Sequence, residues 1–318
     1  MNYHFTRRCN FGCGFCFHTA SSSHVLPLAD ARRGLAMLAD AGMTAMNFAG
    51  GEPFLEVGGL HVGELARFCK RELKLPFVSI VTNGSLVTQD WLAQYGGHLD
   101  MLGVSCDSFD EQTNVALGRR ALASSTEGGE AGDIAMPHAE RVFRLADWCR
   151  GVALPLKLNT VVTAQNAGED MRAAVARLGP VRWKLFQCLL LSGENAGDGA
   201  LRRGAAYTVS DAAFAAFVER HVTADGTLRT PAASPRPPHA AGAGGARTVA
   251  VAVEDNAVMR SSYLLLDERM RFLDCSAGAK RPGPSLLDVG VAAAVRSAGF
   301  DESAFVARGG DWTLPQQR

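Results

Sequence analysis

The sequence of 318 residues predicts an α/β fold with a parallel sheet and helices outside it, and three observations carry this prediction. From residue 44 onward, five or six short β-rich runs alternate with amphipathic helical segments, as in successive βαβ units. Apolar residues make up 47% of the chain, enough for a sizeable core. Small polar residues follow several β-rich runs, where parallel sheets hold their ligands. These patterns fit a doubly wound sheet and a sheet that curls into a barrel equally well.

The predicted elements begin with a strand-like segment, YHF, and a helix whose apolar residues lie three and four positions apart: Leu28, Ala31, Leu35 and Leu38. Gly42 supplies the end of this helix. Further strands are predicted in TAMNFAGGE, FVSIVTNGS, MLGVSCDSF, LPLKLNTVV and VRWKLFQCLL. A helix at residues 169–178 is expected between the last two. Near the carboxyl end, SYLLLDERMRFLDC alternates as a hairpin does.

Two segments interrupt this alternation, residues 121–137 and residues 231–247. Small and polar residues dominate both, with too little apolar material to pack, so we expect flexible surface insertions. The chain then divides into a sheet-bearing unit at residues 1–230, the insertion at 231–247 and an extension at 248–318. We expect this extension to close over one end of the sheet.

The charged residues of the chain balance, with 32 Lys and Arg against 32 Asp and Glu. No overall field therefore favours nucleic acid or an acidic membrane, and an anionic ligand must be held by local charges. No apolar run of about 18 residues is present. Five of the eight cysteines stand singly in apolar segments, as buried thiols do in a reducing compartment. We expect a cytoplasmic monomer without a stable membrane anchor in this chain.

Three cysteines near the amino terminus, Cys9, Cys13 and Cys16, stand in the segment RRCNFGCGFCFHTA. A structural zinc site needs a fourth ligand, and His18 lies too close in sequence to Cys16 to fold back easily. A disulfide is disfavoured in a reducing compartment. Three thiolates in this spacing suit a 4Fe-4S cluster that keeps one iron free of protein ligands. The sequence therefore favours a cluster with an open coordination position over zinc or a disulfide.

A second motif, FAGGEPFL, follows one helix and one strand later. Its glycines, Gly50 and Gly51, allow backbone carbonyls to approach an ammonium group, and the Glu52 carboxylate completes the charge pairing. Alone, such a motif is more often a turn than a site. Its distance from the three cysteines makes a binding site for a cationic amino group the favoured interpretation.

Together these motifs resemble the radical S-adenosylmethionine superfamily, and Phe15 before the third cysteine matches that pattern. The segments NYHFTRRCNFGCGFCFHTA, NFAGGEPFL, SIVTNGSL, SCDSFDE, VRWKLFQCLL, SYLLLDERMRFLDC and LLDVGV further resemble the viperin family of antiviral radical enzymes. The resemblance implies a partial (β/α)6 TIM-type barrel with a C-terminal extension closing the active site. It also implies a 4Fe-4S cluster and S-adenosyl-L-methionine as cofactors. The implied reaction dehydrates CTP or UTP to the 3′-deoxy-3′,4′-didehydro analogue, an antiviral chain terminator.

The resemblance assigns roles to individual residues. It places the cluster on Cys9, Cys13 and Cys16 and the sulfonium cofactor on Phe15, Gly50, Gly51, Glu52, Asn83, Ser105 and Arg119. It places the substrate on Asn2, Lys157, Asn159, Arg182, Lys184, Lys280 and Arg308, with Tyr263 facing the ribose as a catalytic proton or hydrogen donor.

The residues themselves support a polar cavity. Lys157 and Lys184 interrupt β-rich runs, and Asn159 shares a strand face with Lys157. A lysine in such a position either reaches out from a sheet end or faces a polar cavity, and two neighbouring strands with this feature favour the cavity. A triphosphate carries about four negative charges, so a neutral protein must hold it with a local basic cluster.

Two alternatives stay open. The first is a radical enzyme that acts on a peptide or in cofactor biosynthesis, although Cys275 stands alone where peptide-modifying relatives carry clustered cysteines. The second is a metal-binding module without catalysis. An electron donor and the iron-sulfur assembly machinery are further implied partners. Ala49 replaces the serine of the animal pattern, and we expect this to alter a hydrogen bond near the active site. The terminal WTLPQQR stands in place of a terminal tryptophan, which weakens the case for recognition by the assembly machinery.

Overall fold

The computed structural model describes residues 1–121, 136–229 and 248–310, and its strands form one sheet in the order β10-β9-β8-β1-β2-β3-β4-β5-β6-β7. The strands are β1 Asn2–His4, β2 Ala45–Ala49, β3 Phe77–Thr82, β4 Met101–Ser105, β5 Leu156–Val162, β6 Arg182–Gln187, β7 Ala250–Glu254, β8 Leu265–Leu266, β9 Arg271–Asp274 and β10 Arg281–Ser285.

Helices connect these strands. They are α1 Leu28–Asp40, α2 Leu60–Arg71, α3 Gln89–Tyr95, α4 Glu111–Leu117, α5 His138–Gly151, α6 Arg172–Leu178, α7 Asp211–His221, α8 Asn256–Ser261, α9 Leu286–Val289, α10 Val291–Val295 and α11 Glu302–Ala307. Short 3-10 segments lie at Pro53–Gly59, Gly96–His98 and Gly204–Tyr207. Within the described ranges, no helix combines the length and the apolar character that crossing a bilayer requires.

Strand order decides between the two sheet types that the sequence left open. Strands β1 to β7 are neighbours in chain order, and every pair among them is parallel. A doubly wound sheet reverses its order at a switch point, whereas a barrel adds each new strand on the same side. The predicted α/β fold is therefore confirmed, and it is the partial barrel type.

The last strands complete the sheet at its other side. Strand β8 pairs parallel to β1, joining Asn2 with Leu265, and β9 pairs antiparallel to β8 and β10. The predicted hairpin in SYLLLDERMRFLDC is thus present. The β1 strand consequently lies inside the sheet, and residues far apart in the chain flank it.

The structure differs from the sequence prediction in the bounds of one helix and in strands that the prediction lacked. The helix expected at residues 169–178 begins at Arg172, because the preceding segment forms a turn in which the Asn166 side chain accepts a hydrogen bond from the Thr163 amide (2.7 Å). Strand β7 was missed. Apart from residues 121, 136 and 137, both predicted insertions and the terminal WTLPQQR lie outside the described residues.

The two faces of the barrel sheet have opposite character. The outer face packs against the helices with fully buried apolar side chains, among them Tyr3, Phe48, Ile80, Leu158, Trp183 and Leu185. On the other face, cross-strand partners are polar: Lys157 lies beside Arg182, and Asn159 beside Ser105 and Lys184. Because side chains alternate across a strand, the sheet presents one apolar face to the core and one polar face to the barrel interior.

Leu35 of helix α1 provides a test of the packing between the helices and the apolar face of the sheet. Leu35 has no exposed surface, whereas Leu60 at the start of α2 is 45% exposed. We expect Leu35→Ala to lower the free energy of unfolding by about 2–5 kcal/mol, because it removes buried methyl groups and leaves a cavity. The matched change Leu60→Ala should alter it by less than about 1 kcal/mol. Chemical denaturation of both variants checks this, and equal losses would contradict the packing described.

Candidate active site

The three cysteines lie in the long loop that follows β1. Cys13 is buried, Cys9 and Cys16 are partly buried, and all three belong to one apolar cluster with Phe11, Phe15, Leu117 and Cys188. The Cys16 amide donates a hydrogen bond to the Cys13 carbonyl (3.3 Å), which closes a tight turn between them. None of the eight cysteines forms a disulfide in this structure.

Burial raises the pKa of the Cys9 and Cys13 thiols. For Cys9 the nearby Glu52 and Cys13 add to the effect of burial, and for Cys13 burial outweighs the opposing Arg119 and raises the pKa to about 11. Thiolates are the form that binds metal, so loading this loop must release protons.

The donor set fits an iron-sulfur cluster. Within the described residues, no three His, Cys, Asp or Glu side chains converge on one ion position, which a closed zinc site requires. A cluster takes each thiolate on a different iron, so its ligands need not meet at a single point. The loop with Cys9, Cys13 and Cys16 therefore has the donor chemistry for a cluster.

The Gly50–Gly51 pair ties β2 to the segment that leads into Cys9. The amides of Gly51 and Glu52 donate to the carbonyls of Thr6 (2.8 Å) and Arg8 (2.7 Å). A Cβ atom on Gly51 would lie 1.9 Å from the Arg8 carbonyl oxygen, and Gly50 has a φ of 150°. The glycines are thus required for this close backbone approach, a reason that the sequence analysis did not anticipate.

Glu52 is fully buried where β2 meets the end of β3. Its carboxylate accepts hydrogen bonds from the Thr82 hydroxyl (2.6 Å), the Asn83 amide (2.7 Å) and the Phe54 amide (3.2 Å). Burial nevertheless raises its pKa to about 7. A bound ammonium group would favour the ionised form, so this carboxylate suits a cationic ligand.

Asn83 links the end of β3 to the cysteine loop. Its side-chain amide donates to the Asn10 side chain (2.9 Å), and Asn10 in turn donates to the Ser85 hydroxyl (2.8 Å). Asn83 also accepts from the Ser85 amide (2.8 Å). Two predicted cofactor-binding elements therefore meet at the carboxyl ends of β1 and β3.

Arg119 and Ser105 meet at the carboxyl end of β4, and Asp107 holds Arg119 in place. The Arg119 guanidinium donates to the Asp107 carboxylate, and its carbon lies 5.9 Å from the centre of the Phe15 ring. Burial opposes the charge, but Asp107 outweighs burial and raises the pKa of Arg119. The sequence analysis missed Asp107, although an acidic residue directly after an apolar strand was a usable signal.

A basic cluster occupies the polar face of β5 and β6. We define it as Lys157, Arg182, Lys184 and Arg308, which lie close enough to affect one another's charge. Gly103 makes room for it, since a Cβ atom there would lie 3.0 Å from the Lys157 side chain. Lys157 makes no hydrogen bond or ion pair within the described residues, and the side-chain amide oxygen of Asn159 is buried there without a hydrogen-bond partner.

One carboxylate, Glu254 at the end of β7, lies in the basic cluster. It forms ion pairs with Lys184 and with Arg308 (3.1 Å), and the Tyr263 hydroxyl donates to it. Lys184 also donates to the Tyr263 oxygen (2.8 Å). The sequence analysis missed Glu254, whose signal was an acidic residue at the end of the alternating run VAVAVE.

The remaining predicted substrate residues lie elsewhere. Asn2 accepts a hydrogen bond from Asn47 (3.0 Å) on the polar face of β1 and β2. Lys280 contacts His18 (2.7 Å) and Glu194 (3.6 Å) and lines a cavity of about 220 Å³ with Arg7. The structure thus brings together Lys157, Arg182, Lys184, Arg308 and Tyr263, while Lys280 belongs to a second charged group beside the cysteine loop.

A barrel sheet with a three-cysteine loop after its first strand defines a class of proteins. Residues 3–177 match the Radical SAM superfamily, and the chain belongs to it. Streptococcus suis SuiB superposes with a TM-score of 0.59 over 96% of this chain and 66% of that chain, at 16% identity. Its structure bound to S-adenosylmethionine gives 0.58 over the same shares. At this identity the likeness shows the shared fold alone.

More similar sequences narrow the assignment. The S-adenosylmethionine-dependent nucleotide dehydratases RSAD2 of Oncorhynchus mykiss and Danio rerio are 45% identical over 98% of this chain and over 79% and 77% of their own lengths. The S-adenosylmethionine-dependent nucleotide dehydratase of Lacinutrix mariniflava is 28% identical over 98% of this chain and 57% of its own length. Within the superfamily, the chain belongs to the viperin-like family of radical S-adenosylmethionine enzymes.

The glycine pair provides a test of the site. Gly51→Ala should displace the segment before Cys9, lower the free energy of unfolding by about 1–3 kcal/mol and reduce the iron and sulfide bound after anaerobic reconstitution. Gly97→Ala is the matched control, because a Cβ atom there meets nothing within 4 Å. Normal iron content and stability in the Gly51 variant would show that the close approach is not needed.

Proposed function

We propose that this enzyme converts a pyrimidine ribonucleoside triphosphate, CTP or UTP, to its 3′-deoxy-3′,4′-didehydro analogue. The basic cluster on the polar face of the barrel carries this proposal, because cationic side chains gather there and Lys157 has no ion pair among the described residues, which suits a polyphosphate. The relatives named as nucleotide dehydratases support the same substrate class.

The cofactor residues have matching roles in this proposal. Cys9, Cys13 and Cys16 would hold a 4Fe-4S cluster, and the surrounding strand ends would hold the sulfonium cofactor through Phe15, Gly50, Gly51, Glu52, Asn83, Ser105 and Arg119. Bound there, the two cofactors would supply a 5′-deoxyadenosyl radical that removes the 4′-hydrogen of the nucleotide. The protein's contribution is to hold the sugar so that this hydrogen is the nearest one.

The remaining chemistry concerns a proton, an electron and a leaving group. After loss of the 4′-hydrogen, the 3′-hydroxyl takes up one proton and leaves as water, and one electron from an electron donor completes the 3′,4′ double bond. Tyr263 is the candidate proton source. Burial and Glu254 raise the pKa of its phenol, so it keeps its proton near neutral pH.

The protein positions the nucleotide from the phosphate end. The Arg308 guanidinium donates to the Ser262 carbonyl (2.9 Å), and Arg182 donates to the Gly309 carbonyl (3.0 Å). The first contact lies within the C-terminal extension, and the second joins the extension to β6, the strand that carries Lys184. We propose that the extension covers the phosphates, and that the enzyme works as a cytoplasmic monomer, receives its cluster from the iron-sulfur assembly machinery, and takes electrons from a separate donor.

Substrate-dependent turnover tests the proposal. With anaerobically reconstituted protein, CTP or UTP should stimulate 5′-deoxyadenosine formation and yield the dehydrated nucleotide, as measured by mass spectrometry. Cys13→Ala should abolish both products, and Lys157→Ala should lower kcat/KM at least about tenfold because it removes a charge-assisted phosphate contact. Cofactor cleavage that no nucleoside triphosphate stimulates would overturn the assignment and favour a peptide or cofactor-precursor substrate.

The pH dependence of nucleotide binding tests Lys157. Burial and the neighbouring Lys184, Arg182 and Arg308 lower its pKa to about 7, against the opposing charge of Glu254. The cationic form therefore dominates below pH 7 and is lost as the pH rises, so binding should take up a proton. The affinity advantage of the wild type over Lys157→Met should fall about tenfold from pH 6 to pH 8. Titration calorimetry with each nucleotide measures it, and a constant advantage would contradict the lowered pKa.

A further inference from the structure

Glu254 joins three separate parts of the chain. It is the last residue of β7 and has no exposed surface. It forms ion pairs with Lys184 on β6 and with Arg308 at the end of α11. The hydroxyl of Tyr263, in the segment before β8, donates a hydrogen bond to the same carboxylate. Burial alone would favour the neutral acid, but Lys184 and Arg308 outweigh it and lower the pKa of Glu254. An ionised carboxylate therefore lies among the cations of the basic cluster on the polar face of the sheet.

The ion pairs of Glu254 involve two members of the basic cluster, and the other two members are Lys157 and Arg182. Lys157 has no ion pair within the described residues, and Arg182 reaches the Gly309 carbonyl. Burying several like charges without a counter-ion is costly, and one carboxylate offsets only part of that cost. Glu254 and a bound polyphosphate would compete for the same two cations, since both need the Lys184 ammonium and the Arg308 guanidinium.

We propose that Glu254 is a positioning residue that takes the place of the phosphates when no nucleotide is bound, an inference that rests on the proposed nucleotide substrate. Its carboxylate holds the Lys184 ammonium and the Arg308 guanidinium together within the basic cluster. The nucleotide then draws these cations toward its own oxygens, and the Tyr263 hydroxyl keeps Glu254 as its partner. With substrate bound, Lys184 and Arg308 contact the phosphates, while Glu254 continues to orient Tyr263.

A purely structural ion pair and a competing one predict opposite effects on binding. Loss of a structural partner would loosen the cluster and weaken nucleotide affinity. Loss of a competitor would remove the repulsion between the carboxylate and the phosphates and strengthen it, because charges interact strongly at short range in a buried site. The sign of the change in Kd therefore distinguishes the two roles.

The experiment measures the binding of inorganic tripolyphosphate, CTP and UTP to reconstituted enzyme without the sulfonium cofactor, so that no turnover occurs. We expect Glu254→Gln to lower the melting temperature of the ligand-free protein and to tighten the Kd for tripolyphosphate about fivefold or more. Glu254→Asp keeps the charge but withdraws it by one methylene. It should fold even where the glutamine variant does not, and tighten binding by a smaller factor.

Asp267→Asn is the matched control. Asp267 is also fully buried and pairs with Arg271 (2.7 Å) outside the basic cluster. We expect it to lower the melting temperature without tightening phosphate binding. Unchanged or weaker binding in both Glu254 variants, or equal tightening in Asp267→Asn, would overturn the inference while the proposed substrate stands. A wild type that binds none of the three ligands would overturn the proposed substrate together with the inference.

Discussion

The structure depends on one constraint: a small neutral protein places several cations on the inner face of a barrel. Buried charge is tolerated only where partners, room and a ligand offset its desolvation. Gly103 supplies the room for Lys157, and Glu254 supplies a counter-charge for Lys184 and Arg308. The sheet order makes this possible, because β5, β6 and β7 lie side by side and direct their polar residues toward the same interior.

The cysteine loop is held by backbone hydrogen bonds, whereas the basic cluster is held by ion pairs. The cysteine loop is fixed by amide-to-carbonyl hydrogen bonds from Gly51 and Glu52, and by the Asn10–Asn83 pair. Such contacts hold the loop through its backbone, and charged side chains such as Glu52 and Arg119 lie near the Cys9 and Cys13 thiols. The barrel thus carries an apolar, thiol-rich region at the end of β1 and a cationic region on β5 and β6, which suits two ligands of different chemistry held by one sheet.

Local sequence patterns predicted what local physics determines. The strands β2 to β6, the helix α1 and the cysteine spacing were readable because hydrophobic periodicity and motif spacing act over short distances. Asp107 and Glu254 were missed, since their importance comes from Arg119 and Lys184, which lie on other elements. Lys280 is a predicted residue whose partners the sequence did not indicate. A basic residue near the carboxyl end could bind many anions, and the fold places it beside Glu194 and His18.

The pairing of β1 with β8 has a consequence for how the enzyme is made. Asn2 pairs with Leu265 across the sheet, and Arg7 donates a hydrogen bond to Glu268 (3.1 Å). The residues that support the cysteine loop therefore come from segments far apart in the sequence. Contacts of such high sequence separation form late and slowly in folding. The cysteine loop therefore lacks its finished support until β8 has paired with β1.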